Sequence, residues 1–213
     1  NNLIKLQDGE TVSTIIKVRE FEKVKDIFFV TRNGIVKKTN LELFANINKA
    51  GIKAIGLRED DELIFAGLTS GEQKDEMFLA TREGFAIRFS EHDVRSMGRT
   101  ASGVKGITLR SKDIIVAGAI INGTEEGYGK RTKLSDYRLQ SRGGKGITNL
   151  KKNEKTGKIA DVKIVDNDSE IMLITSEGTL IRTVVSSISV IGRATSGVRI
   201  MKVRENEKVA STV

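Results

Sequence analysis

Ile27-Phe28-Phe29-Val30-Thr31-Arg32-Asn33-Gly34, followed by Ile35-Val36-Lys37-Lys38-Thr39, is an apolar run, a Thr-x-x-Gly turn and a second run with a cation four residues past the glycine. The chain repeats this pattern. Met77-Phe78-Leu79-Ala80-Thr81-Arg82-Glu83-Gly84 leads to Arg88, Thr124-Glu125-Glu126-Gly127 to Arg131, and Ile171-Met172-Leu173-Ile174-Thr175-Ser176-Glu177-Gly178 to Arg182. The turn glycines Gly34, Gly84, Gly127 and Gly178 are 50, 43 and 51 residues apart. A period of this length reads as stacked blades or a solenoid, because one such unit cannot bury its own apolar face.

The unit is built of strands. Its apolar runs of four to six residues, rich in β-branched and aromatic side chains, suit strands better than helices. Thr-x-x-Gly is turn chemistry, with glycine supplying a positive φ free of steric penalty. A polar stretch then leads to a second glycine motif: Ala50-Gly51-Ile52-Lys53, Ser102-Gly103-Val104-Lys105, Arg142-Gly143-Gly144-Lys145 and Ser196-Gly197-Val198-Arg199. Four residues past each glycine stand Ile55, Ile107, Ile147 and Met201, candidate core positions. A last turn and apolar strand, such as Leu63-Ile64-Phe65-Ala66-Gly67, complete four short strands per repeat, the content of a propeller blade. The expected fold is all-β: one domain over 1–213, with repeats near 19–67, 68–118, 119–165 and 166–213 and a partial leading unit over 3–18. The third repeat is about seven residues short. Asp113 to Gly123 runs almost directly into Thr124, which predicts that residues of its first strand are missing from the sequence between about Ile121 and Thr124.

The chain has 213 residues and carries 36 Lys+Arg against 28 Asp+Glu, a net charge of +8 that favours a polyanionic partner. The cations recur in register. Four past the first glycine are Lys38, Arg88, Arg131 and Arg182, with Lys37 and Lys130 beside the first and third. Two past the second glycine are Lys53, Lys105, Lys145 and Arg199, with Arg99, Arg142 and Arg193 nearby. Equivalent positions in a radial repeat share a place on its rim, so these residues are expected to form a belt that tracks a phosphate backbone. The alternative is that each cation pairs with an acid of its own blade.

Other function classes find little support. Aromatics are 5% of the chain and Trp is absent, which disfavours both base-stacking platforms and an aromatic docking patch for a protein partner. There is no Cys, so no disulfide, in keeping with an intracellular setting. Neither a signal peptide nor an apolar run of membrane-spanning length is present. One His, His92, and no carboxylate cluster with metal spacing leave no catalytic constellation; Tyr128 and Tyr137 read as structural.

Several segments carry a family resemblance: Asn33-Gly34-Ile35-Val36-Lys37-Lys38-Thr39, Val94-Arg95-Ser96-Met97-Gly98, Glu126-Gly127-Tyr128-Gly129-Lys130-Arg131-Thr132, Tyr137 to Gly146, and Ile188-Ser189-Val190-Ile191-Gly192-Arg193 with Thr195-Ser196-Gly197-Val198. In this order they resemble the C-terminal domains of DNA gyrase A subunits, over essentially the whole chain. The resemblance implies a β-pinwheel, a propeller-like disc of six blades in the family, whose basic rim wraps double-stranded DNA. It implies a non-catalytic module of a bacterial, cytoplasmic, nucleoid-associated type IIA topoisomerase. The partners are then the other domains of the parent polypeptide and the ATPase component of the holoenzyme, with ATP and Mg used elsewhere in that enzyme and no cofactor or membrane here. Gln140-Ser141-Arg142-Gly143-Gly144-Lys145-Gly146 is close to the family's signature heptapeptide but has Ser where the signature has its first Arg, and it falls in the third repeat rather than the first blade. It reads as a related loop in a fragment that lacks the first blade. The topoisomerase IV counterpart is the nearest rival, and a propeller used as a protein-interaction platform the rival from another class.

Overall fold

A computed structural model describes residues 9, 11–12, 14–18, 20–46, 51–72, 74–117, 121–124 and 127–212, the side chains of 121–124 and 212 excepted. The strands are β1 Asp26–Thr31, β2 Ile35–Asn40, β3 Leu63–Leu68, β4 Glu76–Thr81, β5 Phe85–Ser90, β6 Val104–Lys105, β7 Ile115–Ala117, β8 Ile121–Thr124, β9 Tyr128–Arg131, β10 Ile147–Thr148, β11 Ile159–Lys163, β12 Glu170–Thr175, β13 Leu180–Val184, β14 Val198–Arg199 and β15 Val209–Thr212. The described residues contain 3-10 turns but no α-helix, so no helix there is long and apolar enough to cross a membrane. Four antiparallel sheets follow the repeat, in the orders β3-β1-β2-β6, β7-β4-β5-β10, β11-β8-β9-β14 and β15-β12-β13. Strands β3, β7, β11 and β15 touch in succession and form the hub of an all-β disc.

The Thr-x-x-Gly pattern explains the central hairpin of each blade. Gly34, Gly84, Gly127 and Gly178 close the β1–β2, β4–β5, β8–β9 and β12–β13 turns with φ of +79°, +92°, +73° and +82°. The threonine stitches the turn together: the hydroxyls of Thr31, Thr81 and Thr175 accept from the backbone N–H of Ile35, Phe85 and Thr179. Thr31 and Thr175 also donate to Asp61 and Glu207 of the turn before the hub strand.

The core lies between blades, which is why the middle of the first strand, Ile27 to Val30 in β1 and Met77 to Ala80 in β4, is apolar at successive positions. Phe28, Val30 and Val36 pack forward on Leu79, Ile87, Phe89, Ile107 and Ile115 of the second blade, while Phe29 packs backward with Phe44, Ile55 and Ala66. The same forward contact sets Phe78, Ala80 and Ala86 against Tyr137, Leu150, Ile159 and Val162. A strand buried on both faces loses the alternation of a one-sided strand.

The sheets are four-stranded in the first three blades, as expected, but the fourth strand is not the repeat's own. It comes from the next repeat: β6 pairs with β2, β10 with β5 and β14 with β9. Each crossing segment is a strap that starts at a buried anchor, Val94, Tyr137 or Ile188, and reaches its glycine nine residues later, at Gly103, Gly146 or Gly197. A Cβ on these glycines would meet the carbonyl oxygens of Val36, Ala86 and Gly129 at 2.5, 2.7 and 2.7 Å, so only glycine allows the strap to settle onto the preceding blade.

This register corrects the third repeat. Gly146, not Gly143, is the counterpart of Gly103 and Gly197. Ile107, Leu150 and Met201 donate equivalently to the carbonyls of Gly34, Gly84 and Gly127, so Leu150, and not Ile147, is the core position. Thr148 then stands where Lys105 and Arg199 stand. A short strand stands where residues were expected to be missing: Ile121, Asn122 and Gly123 of β8 pair with Arg131, Lys130 and Gly129 of β9, and β8 pairs on its other side with β11 through a register shift between Ile159 and Asp161. The flanking residues 118–120 and 125–126 lie outside the described set.

The corrected register predicts that Leu150→Ala, which empties a site only 2% exposed, lowers stability by about 2–5 kcal/mol in chemical denaturation. Ile147→Ala, at a half-buried site, should cost less than half of that. Equal losses, or the reverse order, would restore the Gly143 register.

Candidate nucleic-acid interface

Strand geometry decides which of the recurring cations can reach a ligand. The residue four past each turn glycine lies near the end of the blade's second strand, beside the next repeat's strap; backbone bridges join Lys38 to Ser96, Arg88 to Leu139 and Arg131 to Val190. These side chains turn onto the neighbouring 3-10 turn. Arg88 donates to the carbonyls of Leu134 and Tyr137 at 3.2 and 2.9 Å and to Glu76 of its own blade at 2.6 Å. Arg131 donates to the carbonyls of Ile188 and Ser186 at 2.6 and 3.1 Å and to Asn167 at 2.6 Å. Lys38, 8% exposed, donates to the carbonyl and carboxylate of Glu91 at 3.3 and 3.5 Å, with Asp26 at 4.0 Å. Expected on the rim facing phosphates, Lys38, Arg88 and Arg131 are struts between blades, each donating to carbonyls of the next repeat's 3-10 turn or of the anchor that follows it. Arg182, in the last repeat, pairs with Glu170 and leaves its side chain 64% exposed.

Lys37 and Lys130 are further from the expectation. Both side chains are fully buried, because strand alternation sends this residue to the opposite face from its neighbour, under the strap. Lys37 donates to the carbonyls of Ala54 and Arg99 at 2.6 and 2.5 Å. Lys130 donates to those of Gly192 and Arg193 at 2.7 and 2.5 Å and to the Thr195 hydroxyl at 3.3 Å. Burial lowers both amines to about 8; for Lys130 nearby Arg193 adds to the fall and Asp136 opposes it. Neither amine is open to a phosphate.

The remaining candidates lie on the straps and are open to solvent. Lys53, Lys105, Lys145 and Arg199 are exposed, and Arg99, Arg142 and Arg193 are half-buried. Lys145 belongs to the strap of the third repeat, although not at the position assigned by the Gly143 register. Arg199 rests on Tyr128, 2.9 Å from its hydroxyl and 5.3 Å from the ring centroid. Arg142 and Arg193 tie strap to strap, donating to the carbonyls of Lys105 and Thr148 at 3.1 and 2.8 Å. Backbone bonds repeat the link: Gly56 to Ala101, Thr108 to Gly144 and Lys151 to Thr195.

Two strap cations escaped the sequence reading, the exposed Arg95 and Arg138, each one residue after the buried anchor. A compositional signal marks them. Residues 94–105, 137–148 and 188–199 together hold eight Lys or Arg and no Asp or Glu, in a chain with 28 acidic residues. The acids lie elsewhere, at the blade turns around Asp61, Asp113 and Glu207, at strand starts such as Asp26, Glu76 and Glu170, and in the 3-10 turns. The result is a linked band of cations crossing successive blades, with few aromatic faces: a surface suited to a polyanion's backbone rather than to its bases.

A family model described as "DNA gyrase C-terminal domain, beta-propeller" matches residues 25–70, 75–122, 123–166 and 169–213. The DNA gyrase A subunit of Lawsonia intracellularis is 44% identical over 218 residues, which cover 98% of this chain and 26% of that protein. That of Salmonella typhimurium is 43% identical over 215 residues, covering 98% and 24%. The chain thus spans about a quarter of the length of these curated relatives. A crystal structure of the C-terminal domain of DNA topoisomerase IV superposes with a TM-score of 0.92 at 29% identity, covering all of this chain and 68% of that one. A DNA gyrase A C-terminal domain gives 0.86 at 27% identity, covering 99% and 72%.

The buried amines set a pH dependence whose sign is fixed. Between about 8 and 10.5 the unfolded chain holds protons on Lys37 and Lys130 that the folded chain has released. Their contribution to stability therefore rises with pH across that window and is lowest below it, where a buried charge is held in full. Denaturation of the wild type and of Lys130→Met at pH 7.5, 8.5 and 9.5 should show the wild type gaining on the variant as pH rises. A falling difference would mean that the ammonium form is the favoured one.

Proposed function

The chain belongs to the DNA gyrase C-terminal domain family, and on that premise we propose that it binds double-stranded DNA along its outer rim and wraps it, without base specificity, as a non-catalytic module of DNA gyrase. The observation that carries the reading is the segregation of charge: acid-free straps, bonded one to the next, form one cationic band over successive blades. A duplex presents one negative charge for about every 1.7 Å of its axis, so a curved band of cations gathers DNA through its backbone and bends it around the disc. In the parent enzyme, a topoisomerase of the bacterial cytoplasm, ATP and magnesium would act in other parts. This module would set the handedness of the crossing that the holoenzyme converts into negative supercoils.

A second reading has a specific observation behind it. The topoisomerase IV domain gives the higher TM-score of the two structures, although the curated relatives above 40% identity named here are gyrase A subunits. The two readings part in the holoenzyme: with ATP a gyrase introduces negative supercoils into relaxed plasmid, whereas the topoisomerase IV reading predicts relaxation of supercoiled plasmid and no introduction of negative supercoils.

The exposed strap cations Arg95, Lys105, Arg138, Lys145 and Arg199, with the half-buried Arg99, imply a slope of log K against log salt of about −5. The triple variant Lys105→Glu/Lys145→Glu/Arg199→Glu should flatten the slope by about three. Each exposed substitution should change stability by no more than about 0.5 kcal/mol. By contrast Arg88→Gln, which removes a strut, should lower the melting temperature with little change in slope. Binding that is insensitive to salt, or selective for one base sequence, would exclude backbone wrapping.

A further inference from the structure

We propose that Lys37 and Lys130 are positioning residues for the DNA surface, fixing from beneath the straps that carry Arg99, Lys105, Arg193 and Arg199; this rests on the wrapping reading above. Both lysines stand three residues past a turn glycine, in equivalent places on β2 and β9. Each amine reaches the carbonyl of the same strap residue, Arg99 in one case and Arg193 in the other, so the backbone is clamped at the residue that bears a guanidinium. Lys37 also takes the Ala54 carbonyl, joining its strap to the glycine segment of the first repeat through one side chain, and lies 5.5 Å from the Phe29 ring centroid. Lys130 spends all three of its donors on the strap, on Gly192, Arg193 and Thr195. The straps hold no carboxylate, so neutral peptide dipoles hold the charge and the outward face keeps its cationic field intact.

The second blade supplies an internal control. At the same position it has Ile87, fully buried, and its strap carries Gly143-Gly144 where the other two straps carry Thr100-Ala101 and Ala194-Thr195. Gly144 lies against Ile87, with a built Cβ 3.5 Å from its Cδ1, so an apolar contact seats that strap where an amine seats the others. An apolar residue therefore fits the site sterically. What it cannot supply is a donor for the strap carbonyls, and carbonyls that lose their partner beneath a short segment favour its local release.

The test uses the full-length parent protein, assembled with its ATPase partner and carrying Lys37→Met, Lys130→Met, or Ile87→Val as the control. Hydrogen exchange is followed without DNA, well below each variant's melting temperature. Lys37→Met should speed exchange in 97–105 and Lys130→Met in 190–199 at least tenfold, leaving 140–148 unchanged; Ile87→Val should leave the first two segments unchanged. The same lysine variants should weaken binding of a long duplex about tenfold. Unchanged exchange in the straps overturns the proposal, as does faster exchange with DNA affinity intact. If a methionine variant does not fold, Lys130→Ile and Lys37→Ile take its place, since isoleucine occupies the position in two other blades. If these also fail, the amines are core residues and the positioning role is wrong. A wild type that binds no DNA would fail the wrapping reading instead, while the exchange data still report whether the straps are clamped.

Discussion

Strand donation between repeats is the constraint on which the rest of this molecule depends. A two-residue pairing such as Val104–Lys105 on β2 is feeble alone, since a hydrogen bond contributes about 0.5–1.5 kcal/mol net. It holds because each strap is fixed at three levels. The anchor Val94, Tyr137 or Ile188 is buried between blades, the strut Lys38, Arg88 or Arg131 grips the 3-10 turn before it, and the glycine lets the strap descend onto the strand. Each of the first three blades is therefore completed by its successor, and stability is shared between neighbours as in other repeat proteins. Donation also covers the outer edge of each accepting sheet, which would otherwise offer unpaired backbone groups.

The same device divides the basic residues into two populations. Those on the central hairpins of the first three blades, Lys37, Lys38, Arg88, Lys130 and Arg131, sit beneath or beside a strap and are bonded to its carbonyls, to those of the adjoining 3-10 turn or to nearby acids. Those on the straps have only solvent on one side and no acid within the segment. Arg142 and Arg193 belong to both: their guanidiniums bond a neighbouring strap while their segments contribute to the band. On the proposed reading, affinity for a polyanion and cohesion of the disc would draw on different side chains, so rim charge could vary without loosening the fold.

Much of the fold was legible because it rests on local chemistry. Thr-x-x-Gly, the continuous apolar strand and the recurring glycine each have a single physical meaning. Donation was not legible, because strands of two residues carry no periodicity. The third strap shows how a motif misleads: Gly143-Gly144-Lys145 imitates Gly103-Val104-Lys105, yet the deciding quantity is the nine-residue spacing from a buried anchor, and Tyr137 places it at Gly146. The pair Lys37-Lys38 was misread for a related cause. Adjacent residues of a strand face opposite sides, and here one side lies under a strap and the other beside it, so neither amine emerges. Register alone cannot separate a strut from an exposed cation; the absence of acids along a whole segment marks the straps on which the exposed ones lie.

A band of like charge also has an energetic meaning for the free disc. Eight cations on segments without a carboxylate repel one another across bonded straps, over distances that a Debye length of about 8 Å at physiological salt screens only in part. The straps are fixed to the blades by struts and buried amines, so they cannot move apart to relieve the repulsion. A polyanion laid along the rim relieves it without rearranging the backbone, and a ligand that binds only the folded state stabilises that state in return. On the proposed reading, wrapping and disc integrity would be linked in one direction: the clamps that make the free disc hold its charges together would be what allows DNA, once bound, to strengthen it.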